Sequence, residues 1–163
     1  MKNTNSAVTG LKISDFEDKS LLILDDDDPF RGRLARAMEK KGFQVKEAKS
    51  AEEGLEIARK TPTNFAVVDL RLEDGSGLEV VKALHKFRKE SRIVMLTGYG
   101  NLPTAVAAVK AGAIDYIAKP VDADDVEAAL LASAESKAKP PENPMSADRV
   151  KWEHIHRVFE LCN

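Results

Sequence analysis

Residues 21–28 read LLILDDDD, an aliphatic run that passes without interruption into consecutive aspartates. A short, continuous apolar run of this kind suits a strand buried on both faces, and the acids stand where that strand would end. Working outward, comparable runs recur at Phe43-Gln44-Val45, Phe65-Ala66-Val67-Val68, Ile93-Val94-Met95-Leu96 and Tyr116-Ile117-Ala118. Amphipathic stretches with readable ends lie between them. Pro29 suits a first helical position with Asp28 as its cap, Gly42 follows the end, and Leu34, Ala37, Met38 and Lys41 continue one face. Ser50 with Glu53, and Ser76 with Glu79, have capping-box spacing, and Leu78, Val81, Leu84 and Phe87 follow the second pair at helical intervals. Pro103 opens the stretch 104–111, which Gly112 closes, and Asp122 can cap a last helix with Val126, Ala129 and Leu130 inward. Five strand–helix units in succession with right-handed crossovers predict an α/β fold, a five-stranded doubly wound parallel sheet with five helices.

Composition narrows the function classes. Lys and Arg number 25 against 27 Asp and Glu, a formal net charge of −2, so there is no global attraction to nucleic acid. Hydrophobic residues at 43% and charged ones at 32% suit a globular core. No apolar run approaches the roughly 18–20 residues needed to cross a bilayer, so no membrane contact is expected. The opening MKNTNSAVTGLKISDFEDKS lacks the apolar core of a signal peptide. Cys162 has no second cysteine to pair with, which fits a reducing cytoplasm. Residues 1–19, without periodicity, read as a flexible leader, and 20–138 as the folded domain. Residues 139–149, with Pro140, Pro141 and Pro144, read as a linker. In 150–163, Trp152, Ile155, Val158, Phe159 and Cys162 fall at helical spacing, and this helix is expected to be the start of a further, truncated domain.

In an open parallel sheet, ligands bind beyond the carboxyl ends of the strands. The residues directly after the apolar runs are Asp25 and Asp26, Asp69, Thr97 and Lys119, and the topology predicts that they meet at one rim. Adjacent carboxylates raise one another's pKa unless a cation joins them, and all-oxygen ligation with few protein groups suits Mg²⁺. Carboxylate, hard cation, lysine and hydroxyl together suit the handling of a phosphoryl group, with an aspartate as nucleophile. Blander readings cover the remaining candidates. Asp27 is taken as solvated, Gly75 and Gly77 as serving a turn, Cys162 as a packed thiol, and His85, His154 and His156 as neither ligands nor bases.

The segments LLILDDDD, VVDLRLEDGSG, IVMLTGYG and AGAIDYIAKP, in this order, resemble the receiver domain of two-component response regulators. The likeness covers about residues 20–138 and implies the flavodoxin-like receiver fold. It implies Asp69 as phosphoacceptor, Lys119 and Thr97 as phosphoryl contacts, Thr97 and Tyr116 as switch residues, and a cis Lys119–Pro120 bond. It further implies Mg²⁺ held by Asp26, Asp69 and the backbone carbonyl of Arg71, with Asp25 acting through water. The partners implied are a sensor histidine kinase and, on phosphorylation, a second copy of the chain; turnover catalysis is not implied. DDDDPFRGRLARAMEKKGF, TGYGNLPTAVAAVKAGAIDY and PPENPMSADRVKWEHIHRVFELCN resemble the redox-responsive RegA, PrrA and ActR group, whose linker leads into a Fis-type helix-turn-helix. That likeness implies DNA binding by the intact protein. With the recognition helix expected to be missing, it gives no support for DNA binding by these 163 residues. Two rivals stand beside it. One is a phosphatase of the haloacid-dehalogenase type with Asp25 as nucleophile and Asp27 two residues on, although Asp122, Asp124 and Asp125 sit at a helix start and supply no later acidic motif. The other is a stand-alone receiver acting by protein contact.

Overall fold

Alternate residues of the central strands go to opposite sides of the sheet, and each side has its own core. The computed structural model describes residues 11–98 and 102–132. Strands β1 (Ser20–Leu24), β2 (Gln44–Ala48), β3 (Phe65–Asp69), β4 (Arg92–Thr97) and β5 (Asp115–Ala118) form a 5-stranded sheet in the order β2-β1-β3-β4-β5. Every neighbouring pair is parallel. Between and after them run α1 (Asp28–Lys40), α2 (Ala51–Lys60), α3 (Gly77–Phe87), α4 (Leu102–Ala111) and α5 (Ala123–Leu131). This is the flavodoxin-like architecture expected from the alternating runs.

Leu22, Leu24, Ala66, Val68, Ile93, Met95 and Tyr116 face one way and pack with Ala58 of α2, Val80, Val81 and Leu84 of α3, and Ala108 of α4. Leu21, Ile23, Phe65, Val67, Val94, Leu96 and Ile117 face the other way against Leu34, Ala35 and Met38 of α1 and Val126, Ala129 and Leu130 of α5. Strands sealed on both faces have no wet side, so they read as unbroken apolar runs. The exception is β2, an edge strand whose Gln44, Lys46 and Glu47 are exposed. Charge there discourages pairing with another chain.

Several local readings change. Asp27, not Asp28, caps α1: its carboxylate accepts the Phe30 N–H at 3.1 Å, while Asp28 pairs with Arg31 at 2.8 Å. Ser50 accepts from the Glu53 N–H, but Glu53 reaches back to the Lys49 N–H, one residue before the cap. Phe87 is 47% exposed as the last residue of α3, whose buried positions are Gly77, Val80, Val81 and Leu84. A short hairpin, Arg71–Leu72 with Gly75–Ser76, follows β3; strands this brief leave no periodicity to read.

The leader ends earlier than expected. Residues Ile13–Asp15 make a turn of 3-10 helix, and Ile13 and Phe16 pack against the α1/α5 side of the core. The Phe16 ring meets Phe65 edge-on at 5.0 Å between centroids, and Phe43 meets Phe65 likewise at 5.2 Å. Asp18 accepts from the Ser20 N–H and pairs with Arg88 at 2.7 Å. A pair of apolar residues three apart on one turn is too little periodicity to register in a sequence. The linker 139–149, the helical pattern 150–163 with Cys162, and residues 1–10 lie outside the described residues.

Phe65→Ala is expected to cost about 3–5 kcal/mol, as for other fully buried aromatics, and Phe16→Ala about 1–2 kcal/mol. Urea unfolding with an unchanged m-value checks both. A Phe16 variant as stable as the parent would return residues 11–19 to the status of a loose leader.

Candidate functional site

The polar residues expected at the rim converge there. Asp25 follows β1, Asp69 is the last residue of β3, Thr97 the last of β4, and Lys119 directly follows β5. Lys119 Nζ lies 2.7 Å from Asp25 Oδ2 and 3.7 Å from Asp69 Oδ2. Carboxylate oxygens of Asp25, Asp26 and Asp69 lie within 4.8 Å of one another. Asp25 is 1% exposed and Asp69 6%, so both lie at the buried floor of the site, while Asp26 is half-buried at its edge.

Each acid is oriented by the loop beside it. The Asp27 N–H donates to Asp25 Oδ1 at 2.9 Å, and the Glu73 N–H donates to Asp26 Oδ2 at 3.0 Å. The Arg71 N–H donates to the Asp69 carboxylate. The hairpin after β3 is itself anchored, because Asp74 accepts from the Ala51 N–H at 2.8 Å and the Glu52 N–H at 3.2 Å at the start of α2. Gly77 makes the hairpin's exit possible: a Cβ there would stand 2.1 Å from the Asp69 carbonyl oxygen. Only glycine lets α3 start against the end of β3.

Electrostatics follow from this crowding. Burial first, then the charge of Asp25, push the Asp69 carboxyl up to about 6, with Asp26 adding to the rise and Lys119 and the Arg71 N–H opposing it. Burial works against the Lys119 ammonium, but its hydrogen bond to Asp25 and the fields of Asp69, Asp25 and Asp27 outweigh that and raise its pKa. An all-oxygen group of carboxylates that repel one another fits a hard divalent cation such as Mg²⁺. Asp25, Asp26 and Asp69 are the residues that could hold it.

Thr97 is buried, and its carbonyl accepts the Lys119 N–H at 2.7 Å, which ties the ends of β4 and β5 together. Tyr116 is buried beside Met95 on the α2/α3/α4 side, and by strand alternation Thr97 belongs to that same side. The Lys119–Pro120 bond is cis. The dehalogenase-type reading is not favoured, since Asp27, the second acid it requires, is taken up as a helix cap. His85 lies on α3, against the Gly112 turn and away from the acids. Residues not singled out from sequence complete the rim: Phe30, whose ring centroid is 4.7 Å from Lys119 Nζ, and Arg31, which donates to the Asp25 carbonyl at 2.7 Å. Neither has a type or spacing that marks it in a sequence.

The family model of the response regulator receiver domain matches residues 21–131. The photosynthetic apparatus regulatory protein RegA of Rhodovulum sulfidophilum is 62% identical over 147 residues, which is 90% of this chain and 80% of that protein. The acid tolerance regulatory protein ActR of Sinorhizobium medicae is 55% identical over 163 residues, covering 99% of this chain and 84% of that one. Among solved structures, a Burkholderia pseudomallei response regulator with a phosphorylated aspartic acid, a calcium ion and citrate superposes with a TM-score of 0.68 at 35% identity. That match covers 90% of this chain and 86% of that one. A receiver domain from Methanospirillum hungatei gives a TM-score of 0.64 at 35% identity over 68% of this chain and 88% of that one. Fold, rim and relatives agree, and the chain belongs to the response regulator receiver family of two-component systems, with RegA and ActR regulatory proteins among its relatives.

Proposed function

We propose that Asp69 accepts a phosphoryl group from the phosphohistidine of a partner kinase, and that the acyl phosphate switches a transcriptional output in the cytoplasm. The observation that carries this is the position of Asp69 at a strand end, between an acidic pair and a lysine 3.7 Å away. A buried carboxylate in that position has no structural use that a neutral residue would not serve at lower cost.

In the transfer, a carboxylate oxygen of Asp69 attacks phosphorus in line, the bond from phosphorus to the kinase imidazole nitrogen breaks, and its electron pair stays on that nitrogen. With its carboxyl raised only to about 6, Asp69 is ionised and nucleophilic at neutral pH. Lys119 leaves Asp25 for a phosphoryl oxygen, and the Thr97 hydroxyl donates to another. Asp26, Asp69 and the Arg71 carbonyl would hold a divalent cation, which when bound would supply the positive charge that an anionic phosphoryl group needs to approach three acids. Because Thr97 and Tyr116 share one side of the sheet, a shift of Thr97 changes the space open to the Tyr116 ring, and with it the surface near α4. Dimerisation on phosphorylation, and DNA binding by the intact protein, belong to this reading through its RegA and ActR likeness.

Asp69→Asn is expected to abolish labelling by acetyl phosphate with Mg²⁺ while circular dichroism stays native; undiminished labelling overturns the assignment. Stability should also depend on pH through this residue. Its folded pKa of about 6 exceeds the ordinary 3.8, so the stabilisation present below about 4 is lost as pH rises through 6. A rise of about two units corresponds to roughly 3 kcal/mol at most. Asp69→Asn should therefore stabilise the cation-free protein by about 1–3 kcal/mol at pH 7.5, with the gain vanishing near pH 4. Mg²⁺ should stabilise the parent more than the variant. Urea midpoints across that pH range, with and without Mg²⁺, check both statements.

A further inference from the structure

The Lys119 ammonium is held from three directions. Asp25 Oδ2 lies at 2.7 Å, Asp69 Oδ2 at 3.7 Å, and the face of the Phe30 ring at 4.7 Å from its centroid. We propose that Phe30 is a positioning residue for the phosphoryl reaction: its ring keeps Lys119 Nζ at the rim while the ammonium exchanges Asp25 for the incoming phosphoryl oxygen. This rests on the reading of Asp69 as phosphoacceptor and assigns a role to a residue outside the polar set.

The local chain is built to hold the ring there. Phe30 stands in the first turn of α1, where Pro29 fixes the helical entry and the Asp27 carboxylate accepts the Phe30 N–H at 3.1 Å. One residue on, Arg31 donates to the Asp25 carbonyl at 2.7 Å. Two hydrogen bonds thus tie the first turn of α1, which carries the ring, to the Asp25–Asp27 segment that follows β1. The ring, partly buried, also packs on the α1/α5 side of the core.

The choice of a ring has a physical reason. A further carboxylate beside Lys119 would deepen the repulsion that already raises Asp69. A neutral hydrogen-bond acceptor would hold the ammonium along one direction and be lost when it turned. A ring face attracts a cation through its quadrupole, adds no net charge, and acts over about 6 Å without a preferred N–H direction. The ammonium can therefore swing from carboxylate to phosphoryl oxygen and keep this partner throughout. On the side that the ring covers, it also keeps water from the ammonium, which strengthens the attraction to the anion.

Phe30→Leu, Phe30→Tyr and Phe30→Trp in the full chain test the proposal; leucine keeps an apolar side chain without a ring, and the others keep the ring. Phe30→Leu is expected to slow acetyl phosphate labelling of Asp69, and to weaken beryllofluoride binding with Mg²⁺, by about three- to tenfold. Tyrosine or tryptophan should restore both. Independently of phosphorylation, the Lys119 side-chain methylene protons should show an upfield ring-current shift by NMR in the parent and Phe30→Tyr, and lose it in Phe30→Leu. Phe30→Leu labelling at the parent's rate overturns the role of the ring and leaves Asp69 untouched. Equal slowing in all three variants overturns it too, by assigning the effect to packing. If the ring-current shift is present but the parent takes no label on Asp69, the phosphoacceptor reading itself has failed, and the positioning role falls with it.

Discussion

Like charges forced together at the end of a buried sheet set the terms for everything around them. Oxygens of Asp25, Asp26 and Asp69 come within 4.8 Å of one another. At that separation two unit charges repel by roughly 3 kcal/mol in an effective dielectric of about 20. Lys119 and the backbone donors of the rim offset part of this cost, and the rest of the domain must carry what remains. Leu21, Leu22, Ile23, Leu24, Phe65, Val67 and Val68 are fully buried in the strands that deliver the acids. Each contributes about 1.5–3 kcal/mol of burial, enough in sum to fix strand ends that repel one another. The apolar runs and the aspartates after them are two halves of one arrangement.

The acids are held mainly by dipoles. Backbone N–H groups of Asp27, Glu73 and Arg71 each donate to one of them, and Lys119 is the cation that reaches Asp25 and Asp69. A second fixed lysine or arginine would cancel much of the charge that attracts a metal ion and occupy the volume a ligand needs. Peptide dipoles orient the carboxylates without filling that volume and leave a charge deficit for a cation and an anion to complete together. The hairpin after β3 matters for this reason, since it carries two of the three donors and is pinned to α2 through Asp74.

What was legible in the sequence, and what was not, follows the same division. Long-range order was legible because burial on both sheet faces leaves unbroken apolar runs, and because strand ends in a parallel sheet share one edge; Asp25, Asp69, Thr97 and Lys119 were found that way. Short-range detail was less so. Choosing Asp27 over Asp28 as the cap of α1 depends on where Pro29 lets the helix begin, a difference of one residue that spacing does not settle. Phe16 was missed because one turn carries no periodicity, and Phe30 because a partly buried aromatic at a helix start has the same sequence signature as ordinary core. The donors on Asp26 and Asp69 are backbone groups, which no side-chain pattern reveals.

The parallel ladder adds a last constraint. The Lys119 N–H donates to the Thr97 carbonyl, so the residue that faces the acids and the last residue of β4 cannot move independently. Two residues further inside, Tyr116 pairs with Met95, on the side of the sheet that Thr97 shares by alternation. At its other end β4 begins with Arg92, whose guanidinium donates to the carbonyls of Leu130 and Ala132 at the end of α5 and lies over the Phe16 ring. Close-packed interiors do not deform continuously, so a displacement at the rim end of β4 must be met by a change of packing on the Tyr116 side rather than absorbed along the strand. Under the proposed phosphotransfer, this is the route by which a charge event at the acids becomes a change of shape at the α4 side.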